Sequence, residues 1–102
     1  MIVKIEVTLE DIQKGCTCDG ENCPFALAFK RALPHWDIVY VCLTTVAFGT
    51  VRFRPEEFPP EVTLPFEVSK WIEQFDEARP VKPITIEMDL PESITNPPTF
   101  AA

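Results

Sequence analysis

Four cysteines, Cys16, Cys18, Cys23 and Cys42, carry most of the chemistry open to this 102-residue chain. The first three run as Cys-x-Cys-x4-Cys. Completed by Cys42 or by the single histidine, His35, such a set could hold tetrahedral zinc. The spacing departs from the usual Cys-x2-Cys pair, and Cys42 falls in an apolar run that reads as a buried strand. Cys23 stands immediately before Pro24 at the start of a predicted helix, where the positive end of the helix dipole lowers a thiol's pKa. No Cys-x-x-Cys redox pair accompanies it, and His35, followed by Trp36, belongs to a different segment, so a Cys–His catalytic pairing is weakly supported. Packing accounts for more: Cys23 and Cys42 as small hydrophobes pointing into the core, Cys16 and Cys18 as loop residues close enough to oxidise in air. The sequence therefore favours no metal and no other cofactor. Zinc on Cys16, Cys18, Cys23 and Cys42 is the alternative.

Other catalytic constellations are missing. The chain has neither Gly-x-Gly-x-x-Gly nor a P-loop, and three glycines in all cannot build a phosphate cradle. There is no His-Glu-x-x-His. Glu56-Glu57 and Asp76-Glu77 read as solvated charge in a loop and on a helix surface. Trp71 and Phe75 at helical spacing read as core rather than as a stacking platform. No enzyme is indicated.

The elements that must position these residues follow from periodicity. Val3, Ile5 and Val7 alternate with Lys4, Glu6 and Thr8, as in a half-buried strand. Thr8-Leu9-Glu10-Asp11 resembles a capping box with Asp in place of Glu, opening a short helix over about 9–14 that Gly15 is placed to end. Residues 15–22 are loop by composition. Asn22 or Cys23 caps the next helix, with Pro24 at its first position, where a missing N–H costs nothing. That helix is apolar around most of its surface and should be buried until Pro34 stops it. From Trp36 to Phe48 the chain reads as one strand, apolar on both faces between Ile38 and Leu43 and so interior to the sheet or covered on both sides. Val51 and Phe53 alternate with Arg52 and Arg54 in a further strand, and the stretch Pro55 to Pro65 is loop. A third helix over about 65–78 aligns Val68, Trp71, Ile72 and Phe75 in one stripe. Ile84, Ile86, Met88 and Leu90 mark a last one-sided strand. The order β-α-α-β-β-α-β predicts an α+β fold, with a three- or four-stranded, mainly antiparallel sheet and helices packed on one face. Residues 1–90 form one globular domain in this reading, and 91–102 a Pro-rich tail, flexible unless a contact holds it.

Charge narrows the partners. Nine basic against sixteen acidic residues give a net charge of −7. The skew is strongest in residues 65–102, with three basic and seven acidic groups. Lys30-Arg31 and the pair Arg52 and Arg54 are too sparse to track phosphates, so direct nucleic-acid binding is disfavoured. No stretch approaches the roughly 20 apolar residues of a membrane span. Met1 to Glu6 lacks the basic leader and apolar stretch of a signal peptide, so a cytoplasmic protein is expected. The acidic last third suits a basic protein surface, with Glu67, Glu73 and Glu77 as the candidate interaction residues.

Two motifs carry a resemblance. Val7-Thr8-x-x-Asp11-Ile12-x-x-Gly15 is followed by Cys23-Pro24-Phe25-Ala26-Leu27-Ala28-x-x-Arg31-Ala32. Further on come Leu64-Pro65, Trp71-Ile72, Phe75-Asp76, Arg79-Pro80-Val81-x-Pro83 and Ile84-Thr85-Ile86-Glu87. Together they look like a widespread group of small proteins encoded by bacteriophages and diverse bacteria, a group without an established activity. The resemblance covers most of residues 3–90 and implies a phage or mobile-element setting. Size, acidity and that resemblance point to a non-enzymatic protein-interaction module. On this reading it is a phage accessory protein that binds a host or viral protein, for instance as an anti-defence inhibitor occupying a basic nucleic-acid-binding cleft. The alternatives are a virion or assembly component, for which a homo-oligomer stays open, and a small zinc or thiol module.

Overall fold

The computed structural model of the chain describes residues 1–49 and 61–96. Strand β1, Ile2–Val7, buries Ile5 and Val7 and turns Lys4 and Glu6 outward. Helix α1, Leu9–Lys14, opens on the expected capping box: the Asp11 N–H donates to Thr8 Oγ1, and the Thr8 N–H donates to Asp11 Oδ2. Helix α2, Pro24–Ala32, has Cys23 as its N-cap and Pro24 in its first turn. Its apolar surface has a reason in three dimensions, because α2 packs both on β1 and on the strand Ile38–Val41.

The chain between Ile38 and Gly49 corrects the expected single long strand. It is a hairpin, β2 (Ile38–Val41) antiparallel to β3 (Thr45–Gly49), with Val39 opposite Phe48 and Val41 opposite Val46. The Cys42 N–H donates to the Thr45 carbonyl at 2.8 Å and closes the turn. Reversal at 42–44 explains the unbroken apolar run: Val39, Val41, Val46 and Phe48 face the core, whereas Tyr40 and Leu43 are about half exposed. Both faces are not covered, and Cys42 is exposed instead of pointing into the core.

Strand β4, Val62–Thr63, pairs with β3 inside the stretch expected to be loop. Helix α3, Phe66–Asp76, buries Val68, Trp71, Ile72 and Phe75 as its spacing predicts. It ends with Ala78 at φ 58, the Ala78 N–H bonding to the Phe75 carbonyl and the Arg79 N–H to the Gln74 carbonyl. Those two bonds define a Schellman cap, usually built on glycine. Strand β5, Ile84–Asp89, pairs antiparallel with β1 in the register Ile5 to Ile86.

The class is α+β, as expected. The described strands divide between two sheets, β1-β5 and β2-β3-β4, instead of forming one. The packed domain also runs past residue 90: α4, Glu92–Thr95, places Ile94 at full burial, and the Trp36 Nε1–H donates to the Ile94 carbonyl at 2.8 Å. That contact supplies the tie that composition alone could not show. The expected strand at 51–54, most of the Pro-rich loop, and residues 97–102 lie outside the described residues. Six aromatic rings thread the core in the order Phe75, Trp71, Phe25, Phe29, Phe48, Trp36, with neighbouring centroids 5.1 to 6.3 Å apart. Contacts between edge and face or offset faces add specificity to plain burial.

The motif residues meet one another in space. Arg31 forks onto the Asp11 carboxylate, with Nη1 2.9 Å from Oδ1 and Nη2 2.7 Å from Oδ2, while Nη2 also donates to the Glu6 carbonyl. The Asp11 side chain is only 6% exposed, and Arg31's donors hold its carboxyl below the ordinary carboxylate range against the opposing effect of burial. Gly15 does not end α1 in a left-handed turn, since its φ is −69. Its requirement is steric: a β-carbon there would lie 2.6 Å from Pro24 Cδ and 2.8 Å from the Asp11 carbonyl oxygen. The Cys-Pro helix start and the Asp-x3-Gly segment are thus two halves of one joint.

Candidate functional site

Loop 15–22 is shaped by Asp19. Its Oδ1 accepts from the N–H groups of Glu21 and Asn22, and its Oδ2 from the Asn22 amide. The Lys30 ammonium caps the Glu21 carbonyl at 2.8 Å. The loop then docks on two neighbours. The Val41 N–H of β2 donates to the Gly20 carbonyl at 2.8 Å. The Cys18 N–H donates to Asp76 Oδ1 at 2.9 Å, with Cys18 itself at φ 55. Glycine is needed at position 20 because a β-carbon would sit 2.9 Å from the Val41 oxygen and 3.0 Å from the Tyr40 ring.

Docking of the loop on β2 and the end of α3 leaves a half-open cleft of about 170 Å³. Buried Cys23, Val41 and Ile72 line its interior, and exposed Tyr40, Leu43, Cys18 and Cys42 surround them. Asp19 and Asp76 supply the charge. The cleft brings together three of the four cysteines and leaves out Cys16 and His35. Among the described residues no group of three or more His, Cys, Asp or Glu is disposed to hold a metal ion.

At Cys23 the helix start and burial act in opposite directions on the thiol. Its Sγ accepts from the Ala26 N–H at 3.4 Å, so the dipole and the helix amides do favour the thiolate. Burial outweighs them, with the Asp76 and Asp19 charges adding to it, and the thiol is pushed up from its ordinary value. His35, the single histidine, is exposed in the connection between α2 and β2 and does not line the cleft.

Glu67, Glu73 and Glu77 are all exposed. Glu77 caps α3 and pairs with Arg79. Glu67 and Glu73 have no ion pair among the described residues. Lys70, the cation between them in sequence, holds its Nζ 5.2 Å from the centre of the Phe66 ring instead. The three glutamates are not one compact patch: Glu73 and Glu77 are one turn apart, and Glu67 lies toward the other end of the helix. The sequence predicts solvated charge at Asp76. It is half-buried and anchors loop 15–22, and neither its role nor Asp19's or Tyr40's was legible from local pattern. The one available signal was that Phe75-Asp76 belongs to the second motif.

The chain matches no protein-family model, no curated protein and no solved structure. Among the described residues, no helix is long and apolar enough to cross a membrane.

Proposed function

We propose that the chain is a non-enzymatic protein-interaction module that sets the outer face of α3 against a basic surface of its partner. The observation that carries this reading is the state of that face. Glu67 and Glu73 are exposed without an ion pair among the described residues, while Lys70 is drawn over Phe66. Unneutralised carboxylates on a rigid helix steer association with a cationic surface. The cleft adds Asp19 and Asp76 near the C-terminal end of the same helix, with Tyr40 and Leu43 as apolar contacts beside them. The motif resemblance supports a phage-encoded accessory protein acting in the host cytoplasm. An anti-defence role, in which the acidic helix occupies a basic nucleic-acid-binding cleft of a host protein, is the specific form of this proposal.

Immobilised wild-type protein and a Glu67→Lys, Glu73→Lys, Glu77→Lys variant, both checked for folding by circular dichroism, should be exposed to host lysate at low and raised salt. The expected result is a partner captured by the wild type, released by salt, and lost from the variant. Equal capture by both proteins would sink the assignment to α3.

A further inference from the structure

The cleft contains two thiols that a docking surface does not use. Cys18 and Cys42 are free, exposed and part of the lining of the same cleft. Their segments are distant in sequence but in contact in space, joined by the bond from the Val41 N–H to the Gly20 carbonyl. Cys18 stands two residues before Gly20 and Cys42 one residue after Val41, and each Cα step spans only about 3.8 Å. Cys18 is also held by Asp76 in a left-handed conformation that a residue with a β-carbon seldom adopts. Cys23, the third thiol of the cleft, is 5% exposed and has its sulfur engaged by the Ala26 amide. Cys16 lies outside the lining.

We propose that Cys18 and Cys42 form a reversible disulfide that straps loop 15–22 to the β2–β3 turn and closes the cleft. A low-molecular-weight disulfide such as oxidised glutathione is the oxidant. One protein thiolate attacks its S–S bond, expelling one small thiolate, which takes up a proton, and leaving a mixed disulfide. The second protein thiolate attacks the protein sulfur of that mixed disulfide and expels the other small thiolate, likewise protonated. The two protein thiols together lose two protons and two electrons, and the reagent's disulfide is reduced to two thiols. The bridge stands apart from the docking proposal. Its consequence, that the cleft accepts a partner only when reduced, rests on that proposal.

The test incubates the purified full-length protein with oxidised glutathione, then counts free thiols and maps peptides by mass spectrometry. The count should fall from four to two. Lys14, Lys30 and Arg52 place Cys42 on a different tryptic peptide from Cys16, Cys18 and Cys23, so the bridge appears as a cross-link between the two peptides. It should persist in Cys16→Ser and vanish in Cys18→Ser and in Cys42→Ser, both changes at exposed positions. Closing the loop between the two sites should raise the wild-type Tm by roughly 5 °C or more, reversed by dithiothreitol. Four surviving thiols, a Cys16–Cys18 bridge, unresolved glutathione adducts or a cross-linked dimer would each overturn the proposal. A bridge that forms without changing partner capture refutes its effect on docking alone. Loss of capture in the glutamate variant without any bridge leaves the docking reading standing and removes this one.

Discussion

Removing the Asp11 carboxylate is the sharpest test of how the two motifs hold each other. In Asp11→Ala the Thr8 N–H loses its acceptor, which closes one half of the capping box. Loss of such a cap bond costs about 0.5–1 kcal/mol at a partly buried helix start. The forked pair with Arg31 goes too. Its carboxylate end is buried, but the arginine is 52% exposed, so the abandoned guanidinium regains water and keeps its bond to the Glu6 carbonyl. The pair is therefore worth more than an exposed one and less than a buried one, about 1–2 kcal/mol. The sum is about 2 kcal/mol, or a fall in Tm of roughly 8–16 °C for a domain of this size. Denaturant titrations of wild type, Asp11→Ala, Arg31→Ala and the double variant complete the cycle. The double variant should lose less than the two singles combined, with a coupling of at least about 1 kcal/mol. Additive singles, or a cost below about 0.5 kcal/mol for Asp11→Ala, would show that the joint is incidental to stability.

The same carboxylate makes stability depend on pH. Asp11's folded pKa is depressed, chiefly by Arg31's hydrogen bonds, so its contribution is present above the unfolded value of about 3.9 and is lost as pH falls through the folded one. The gap in midpoint between wild type and Asp11→Asn should accordingly be constant from pH 7 to 5 and shrink below about 4; a constant gap down to pH 2 would contradict this. Gly15→Ala should cost about 1–3 kcal/mol by thermal melt, because the new methyl meets Pro24 and a backbone oxygen with no flexible tip to yield. Ala78→Gly should stabilise by about 0.5–1 kcal/mol: relief of left-handed strain of about 1–2 kcal/mol is offset by the looser unfolded chain. A neutral or destabilising result would count against the Schellman assignment. Trp36→Phe leaves the Ile94 carbonyl without its indole donor, and faster amide exchange across α4, at a cost of about 1 kcal/mol, is the expected readout.

Much of the fold was legible because its elements obey local rules. Thr8 and Asp11 announce their cap, Pro24 marks the first turn of α2, and the stripe from Val68 to Phe75 places α3 to within a residue or two. The misreadings arose where the deciding interaction is remote. The run from Trp36 to Phe48 has no Asn-Gly or Gly-Gly signal at its reversal, so by pattern alone Thr44 and Thr45 resemble strand interior and Cys42 a core residue. Division into two sheets, with α2 in contact with a strand of each, is a matter of remote contacts that no single segment reveals. Ile94 looked like tail because its partner, Trp36, lies on another part of the chain. The cleft was invisible for the same reason: residues from a loop, a hairpin and a helix share it, and the sequence groups its three cysteines with Cys16, which lies outside it.

Pairing of β1 with β5 has a consequence for how the molecule comes into being. Residues 2–7 find their strand partner at residues 84–89, so β1 is synthesised long before the strand that pairs with it. Closing a contact so distant along the chain carries a large entropic barrier, which makes it a late event in folding. During synthesis Ile5 and Val7 have neither strand partner nor core, and α2 is the nearest surface able to shelter them. A chain cut before residue 84 would keep the aromatic thread and the hairpin while presenting β1 as an open, apolar-faced edge, a template for self-association.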